Sequence, residues 1–392
     1  MDIVKATKEG GTLRLLLSGR VDSVTAPAAE TAINELIAAE TFDDLVVDAD
    51  DLEYISSAGL RVILRLKKQY AGLKIVNASS EVYDIFEMTG FTEIIPIEKA
   101  YRKLSVEGCE VIGQGANGKV YRLDSDTIIK VYFNPDSLPD IHRERELARK
   151  AFVLGIPTAI PYDVVKVDKS YGSVFELLNA KSFAALIKAE PENIDKYIAL
   201  YADLLKKIHG TAVPHGDMPN MKQVAQNWAA FLAEYLPNEK YRKLCDLIAA
   251  VPESDQMMHG DYHIKNVMMQ NGEVLLIDMD TLCVGNPVFE FASVYLAYLG
   301  YSENDHQIIR DFLGIEHETA KYIWEQTLRL YLGTDDEAVL RAAEDKAMVI
   351  GYTRMMRRTI RREKGTPAGD ALIETCRRHL YELLDRVDSL AF

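Results

Sequence analysis

Cysteine is scarce in this chain, long apolar runs are missing, and positive charge is in deficit. The four cysteines, Cys109, Cys245, Cys283 and Cys376, lie scattered without disulfide or metal-ligand spacing, as suits a reduced compartment. No run approaches the ~20 apolar residues that a bilayer-crossing helix needs, and the stretch Met1 to Lys5 has no signal-peptide pattern. We therefore expect a cytoplasmic protein without a membrane partner. Against 60 Asp and Glu stand 45 Lys and Arg, a formal net charge of −15, which argues against nucleic acid or another polyanion as partner. Repeats and low-complexity tracts are also missing. A length of 392 residues suffices for two domains that each bury a core of their own.

What is present is concentrated in His259 to Asp280, HGDYHIKNVMMQNGEVLLIDMD. A hydroxyl attacking the γ-phosphate of ATP needs a carboxylate to orient it and take its proton, while Mg²⁺, a hard cation, takes oxygen ligands and neutralises the phosphates. Asp261 suits the first task. Asn266 offers a side-chain carbonyl oxygen to the metal, and after a turn at Asn271-Gly272 the apolar strand Val274 to Ile277 delivers Asp278 to the same ion. A second His-Gly-Asp, at His215 to Asp217, is followed by neither an Asn at the matching position nor an apolar strand ending in Asp, so Asp217 reads as a loop residue.

Upstream, VIGQGANGKV places Gly113, Gly115, Gly118 and Val120 in a G-x-G-x-x-G-x-V pattern. Such a loop covers phosphates with backbone amides where side chains would obstruct. The pattern predicts a three-strand meander with Lys130 in the third strand, turned toward the glycine loop while Ile129 and Val131 face the other way. In the helical segment Ile141 to Leu154, Leu147, Ala148 and Ala151 follow Glu144 at three, four and seven residues. Glu144 thus shares the core-facing stripe and is the expected partner of Lys130. Glu146, followed at those offsets by charged residues, reads as a solvated partner of Arg149 or Lys150.

These residues together resemble the aminoglycoside phosphotransferase and choline kinase group, relatives of the protein kinases with the same two-lobed fold. The resemblance implies Asp261 as catalytic base, Asn266 and Asp278 as Mg²⁺ ligands, and His259 as a shaper of the catalytic loop. It implies that Lys130, held by Glu144, and the glycine loop fix the phosphates of ATP. It also implies that Phe175 lies behind the adenine, with the Glu176 carbonyl and the Leu178 amide contacting it. Gly285-Asn286-Pro287 and the following Phe289 to Ala292 resemble the group's Gly-Asp-Pro loop and next helix, with Asn286 and Glu290 in place of the usual acids. The protein-kinase pattern would put Arg at Gly260, Phe-Gly after Asp278, and an Ala-Pro-Glu downstream; all three are missing, which favours a small hydroxyl acceptor. Arg354, Arg357, Arg358, Arg361, Arg362 and Lys364, in a helical stretch from Ala347 to Glu363, form either a solvated basic face or an attractor for an anionic group.

The first hundred residues alternate short apolar strands with helical stretches and hold no cluster of His, Cys or paired acids. Leu17 to Asp22, the strand ending in Asp48, the turn Ile55 to Leu60 and Met88 to Phe91 resemble the STAS domains of bacterial anti-sigma factor antagonists and sulfate transporters. There the serine of a D-S-x-G-L turn is phosphorylated to control partner binding. Ser57 matches that serine, with Ser56 where the family commonly has Asp. Either hydroxyl also suits a plain helix N-cap. The expected organisation is a STAS-type α/β sandwich over residues 1–98, a linker over 99–107, and a bilobal kinase-like α+β domain over 108–392, with its small lobe at 108–178 and helical lobe at 179–392. The expected activity is ATP- and Mg²⁺-dependent transfer to a small-molecule hydroxyl, with the STAS module binding a protein partner. Two alternatives are a partner-switching regulator that phosphorylates a protein serine, Ser57 in cis or on another STAS protein, and a non-catalytic nucleotide-binding scaffold.

Overall fold

Period-two alternation in Thr12–Val21 buries Leu13, Leu15 and Leu17 and leaves Arg14 on the opposite face. That strand, β2, pairs antiparallel with β1, Val4–Glu9, and parallel with β3, Asp44–Ile55. Parallel neighbours β4, Lys74–Ala78, and β5, Ile97–Lys99, complete a sheet in chain order. Helices α1, Ala26–Ala38, α2, Ser57–Gln69, and α3, Ser80–Met88, contribute Ile33, Ile63 and Phe86 to the core built on β2, β3 and β4. The edge strands β1 and β5 were not apparent from the sequence. Both are charged and largely exposed, so no apolar alternation marks them.

A computed structural model describes residues 3–115 and 117–392, and the chain divides into two units, Met1–Ser105 and Val106–Phe392. In the second, strands Val111–Gln114, Gly118–Arg122, Thr127–Tyr132, Ser170–Glu176 and Pro161–Val167 lie side by side in that order, each antiparallel to the next. Helix α4, Leu138–Val153, follows the third of these strands. Its stripe Leu147, Ala148 and Ala151 joins a core shared with the helices α5, Phe183–Ala189, and α6, Ile194–His209.

Apart from a few short strands, the rest of this unit is helical: α7, Met221–Phe231, α8, Asn238–Ala249, α9, Pro287–Tyr298, α10, Gln307–Leu313, α11, His317–Leu332, α12, Glu337–Glu363, and α13, Pro367–Arg386. Every residue of α9 from Val288 to Tyr298 is buried, as befits a helix apolar all round. The basic segment expected to begin near Ala347 is the C-terminal part of the longer α12. In its first ten residues only Leu340 and Ala343 are buried, among five charged residues, which weakens the helical period.

Candidate phosphoryl-transfer site

The loop from His259 to Leu282 is pinned at its root. Met257 and Met258 pair antiparallel with Val284 and Cys283, so both ends of the segment leave one short ladder. Inside it, strands Val267–Gln270 and Glu273–Leu276 form a hairpin closed by Asn271 and Gly272, both at positive φ, 51° and 85°. That primed-turn backbone is what an Asn-Gly pair favours. The hairpin returns the chain so that the Ile277 amide donates to the Asn266 carbonyl at 3.0 Å, bringing Asp278 beside Asn266.

Hydrogen bonds from buried groups set the loop's shape. His259, fully buried, presents Nε2 to the Ile277 carbonyl at 3.1 Å, while its Nδ1 lies 3.3 Å from the Asp261 amide and accepts from it. Gly260 has φ +81°, and a Cβ there would lie 2.5 Å from the Thr281 carbonyl oxygen, so no other residue fits without moving the loop. The buried Glu290 carboxylate of α9 accepts from the His259 amide at 2.5 Å and the Gly260 amide at 3.0 Å. Ser293, one turn further along α9, donates to the Gly260 carbonyl at 2.8 Å. Glu290, read from sequence only as a departure in a scaffold loop, thus holds the His259–Gly260 backbone directly. Its signal was its place four residues past the N-cap, Asn286, of an otherwise largely apolar helix, where a lone acid needs a buried partner.

Asp261 keeps 42% of its side chain exposed. Burial pushes its pKa up, but the His263 imidazole at 3.5 Å, helped by His259 and Arg354, outweighs this and holds the carboxyl below its usual range. Asn266 donates its amide to the Asp261 carbonyl at 3.0 Å, which leaves its side-chain oxygen for another partner.

Lys130, in strand Thr127–Tyr132 opposite Val120, reaches Glu144 at 3.0 and 3.2 Å and Asp278 at 3.1 Å. The Glu144 side chain is 5% exposed and also accepts from the Tyr132 hydroxyl. Burial lowers the Lys130 pKa, yet the carboxylates of Glu144, Asp278 and Asp280 more than reverse this, so the ammonium is firmly charged. Glu146 pairs instead with Lys150 at 2.9 Å on the solvent side of α4. Asp280 is pushed up to about 7 by burial first and then by the neighbouring charges of Asp278 and Glu144.

Glycine at position 118 is dictated by space, since a Cβ would lie 2.4 Å from the Val131 carbonyl oxygen. The Gly115 amide donates to the Gly118 carbonyl at 3.0 Å, and Ala116 lies outside the described residues. Gly113 pairs with Val120 across the first two strands. Phe175 and Glu176 end strand Ser170–Glu176, where the Glu176 amide donates to Ile160; Leu178 follows in irregular backbone, half-buried. The second His-Gly-Asp has the same glycine conformation, φ +86° at Gly216, but none of the surroundings. His215 is 91% exposed beside Asp255, and Asp217 pairs with Lys150.

The Lys130 ammonium meets the carboxylates of Glu144 and Asp278, with the Asp280 carboxyl under their influence, so the donor set is oxygen-rich. Among the described residues no three His, Cys, Asp or Glu side chains form a ready metal cage. Asn266 and Asp278 together suit Mg²⁺, which keeps waters and phosphate oxygens in its shell and needs few protein ligands.

In the first unit, Ser56 caps α2, its hydroxyl accepting from the Ala58 amide at 3.2 Å. Ser57 is the first helical residue and is exposed, so the cap leaves its hydroxyl outside.

The sequence profile of the family described as "Phosphotransferase enzyme family" matches residues 108–325, more than half of the chain, and that of the STAS domain matches residues 4–104. A putative anti-sigma factor antagonist of Bordetella bronchiseptica is 36% identical over 96 residues, covering 23% of this chain and 80% of that protein. The anti-sigma-B factor antagonist of Bacillus subtilis is 32% identical over 89 residues, covering 22% and 80%. Among solved structures, an ADP-bound aminoglycoside phosphotransferase aligns at 16% identity over 79% of this chain and 99% of its own, with a TM-score of 0.46. The chain belongs to the phosphotransferase enzyme family and carries a STAS domain ahead of its kinase-like fold.

Proposed function

We propose that the second unit transfers the γ-phosphate of ATP to the hydroxyl of a small molecule, and that the STAS domain regulates it through a protein partner. The observation that carries this reading is the single ammonium of Lys130 held between Glu144 and Asp278, beside a loop that offers Asp261 and Asn266. The acceptor oxygen attacks the γ-phosphorus, the bond from that phosphorus to the bridging oxygen breaks, and ADP leaves. Asp261 orients the hydroxyl and receives its proton, and the depressed pKa of its carboxyl keeps it ionised for this at neutral pH. Lys130 bonds phosphate oxygens, the glycine loop covers them with amides, and the backbone of Glu176 and Leu178 meets the adenine. Asn266 and Asp278 would hold Mg²⁺, which when bound neutralises charge on the phosphates.

The test is ADP release in the presence of Mg²⁺, ATP and a panel of alcohols, for wild type and Asp261→Asn. A loss of about 10²- to 10⁴-fold in turnover with nucleotide affinity retained is expected for a base. Equal turnover in the variant would overturn the assignment, and undetectable nucleotide binding in wild type would overturn the activity.

A second reading is favoured by one observation: Ser56, not Ser57, takes the capping role, so the Ser57 hydroxyl is exposed at a helix N-terminus, a favourable place for a phosphate. In this reading the kinase-like unit phosphorylates Ser57 or the same site on another STAS protein. Peptide mass spectrometry after incubation with Mg²⁺ and ATP, alone and with a second STAS protein, decides it, and the absence of added phosphate on any serine in both overturns it.

A further inference from the structure

Six cations at the end of α12, Arg354, Arg357, Arg358, Arg361, Arg362 and Lys364, have no carboxylate partner within ion-pair distance among the described residues. Elsewhere in the same helical lobe several cations take acids: Arg310 pairs with Glu316, Arg386 with Asp345 and Lys243 with Asp388. In a chain of net charge −15, six unpaired cations on one helix end stand apart.

Several of them lie against aromatic rings and are not freely solvated. Helix α12 packs on α7, and there Arg354 lies over Trp228 at 5.6 Å and Arg357 over Phe231 at 5.6 Å. Lys364 lies over Tyr235 at 4.9 Å. The aromatic spacing of three and four residues repeats the helical period, so a ladder of rings holds these three cations through contacts between cation and π-face. Arg354 and Arg357 are half-buried, and Arg357 Nε is enclosed without a hydrogen-bond partner. Arg354 also reaches the reaction loop: its Nη1 donates to Ser293 Oγ at 2.8 Å, and that hydroxyl donates to the carbonyl of Gly260, the residue before Asp261. A guanidinium has five N–H donors, so Arg354 retains donors for a ligand.

We infer that the acceptor is a compact alcohol bearing a phosphate or carboxylate, its anion held by Arg354 and Arg357 while its hydroxyl faces Asp261. This rests on the phosphotransferase reading above and adds the charge of the acceptor. Arg354 and Arg357 act in positioning. They bind the anionic end and so set which hydroxyl reaches the base.

The experiment uses the full chain with Mg²⁺ and a non-hydrolysable ATP analogue, titrated calorimetrically with glycerol 3-phosphate, glycerate, glycerol and choline. We expect one or both anionic alcohols to bind at least tenfold more tightly than glycerol or choline. Arg354→Gln and Arg357→Gln should weaken that binding tenfold or more. Arg361→Gln, an exposed position, should weaken it less, and ATP-analogue binding retained in the Arg354 and Arg357 variants excludes a folding defect. Preference for glycerol 3-phosphate identifies a phosphate, and preference for glycerate a carboxylate. Equal binding of neutral and anionic alcohols, tighter binding of choline, or undiminished anion binding in both half-buried variants overturns the inference. Failure of the ATP analogue to bind wild type would instead overturn the parent reading, since the anion titration is read separately.

Discussion

Lys130 and Asp278, 148 residues apart in the chain, meet at 3.1 Å. Glu144 completes the arrangement from α4, and its carboxylate is nearly sealed from water. Removing the cation strands a buried anion, an effect of about 3 kcal/mol or more. Lys130→Met should therefore lower the urea midpoint substantially, whereas Lys130→Arg, which keeps the charge, should lower it less. Equal midpoints for the two variants would show that the charge is not what matters there.

Gly260 and Gly216 form a matched pair. Both have positive φ, +81° and +86°, but a Cβ would collide with the Thr281 carbonyl at Gly260 and meet open space at Gly216. Gly216→Ala should cost about 1–2 kcal/mol for the left-handed conformation alone. Gly260→Ala should cost more and reduce turnover, because Asp261 moves with the loop. Denaturation midpoints and ADP-release rates of the two variants check this.

Glu290 accepts two backbone amides with its two oxygens. A glutamine has one oxygen, so Glu290→Gln turns an NH₂ group toward an amide donor in a dry site. A loss of about 2 kcal/mol is expected, with turnover falling further than nucleotide affinity. Stability curves alongside steady-state kinetics separate the two effects.

Ser56→Ala should destabilise α2 by about 1 kcal/mol through loss of its cap, while Ser57→Ala, at an exposed first helical position, should be close to neutral. Hydrogen exchange of the Ser57–Gln69 amides in the full chain distinguishes them. Equal protection in both variants would contradict the cap seen at Ser56.

Asp48 accepts from Arg14 at 2.8 Å and from Asn77 at 2.9 Å. Burial raises its pKa, but the bonds from Asn77 and Arg14 outweigh this, so the folded value lies below the usual one. The unfolded chain then takes up the proton more readily. The stabilisation is complete above about pH 4, the unfolded value, and is lost as pH falls through the lower folded value. Protection of the Asp44–Ile55 amides, corrected for intrinsic exchange, should fall on acidification in wild type and depend less on pH in Asp48→Asn.

Much of the local architecture was legible because it is encoded at short range. The Asn-Gly turn announces its hairpin, the alternation of Leu13, Leu15 and Leu17 announces β2, and helical phase separates the buried Glu144 from the exposed Glu146. The charged edge strands β1 and β5 escaped notice because exposed edges carry no apolar pattern. The role of Glu290 escaped because its partners, the His259 and Gly260 amides, are 31 and 30 residues away.

The basic run of α12 shows the division most sharply. Sequence alone determined that six cations share one helix end, and it equally determined the order of Asp261, Asn266 and Asp278 along one hairpin, since both follow from helical and hairpin periodicity. Only the tertiary structure decided that Trp228 and Phe231 of α7, with Tyr235 just beyond it, lie beneath three of those cations and that no acid among the described residues neutralises them. Packing between helices brings together residues more than a hundred positions apart, and no local spacing records which faces will meet.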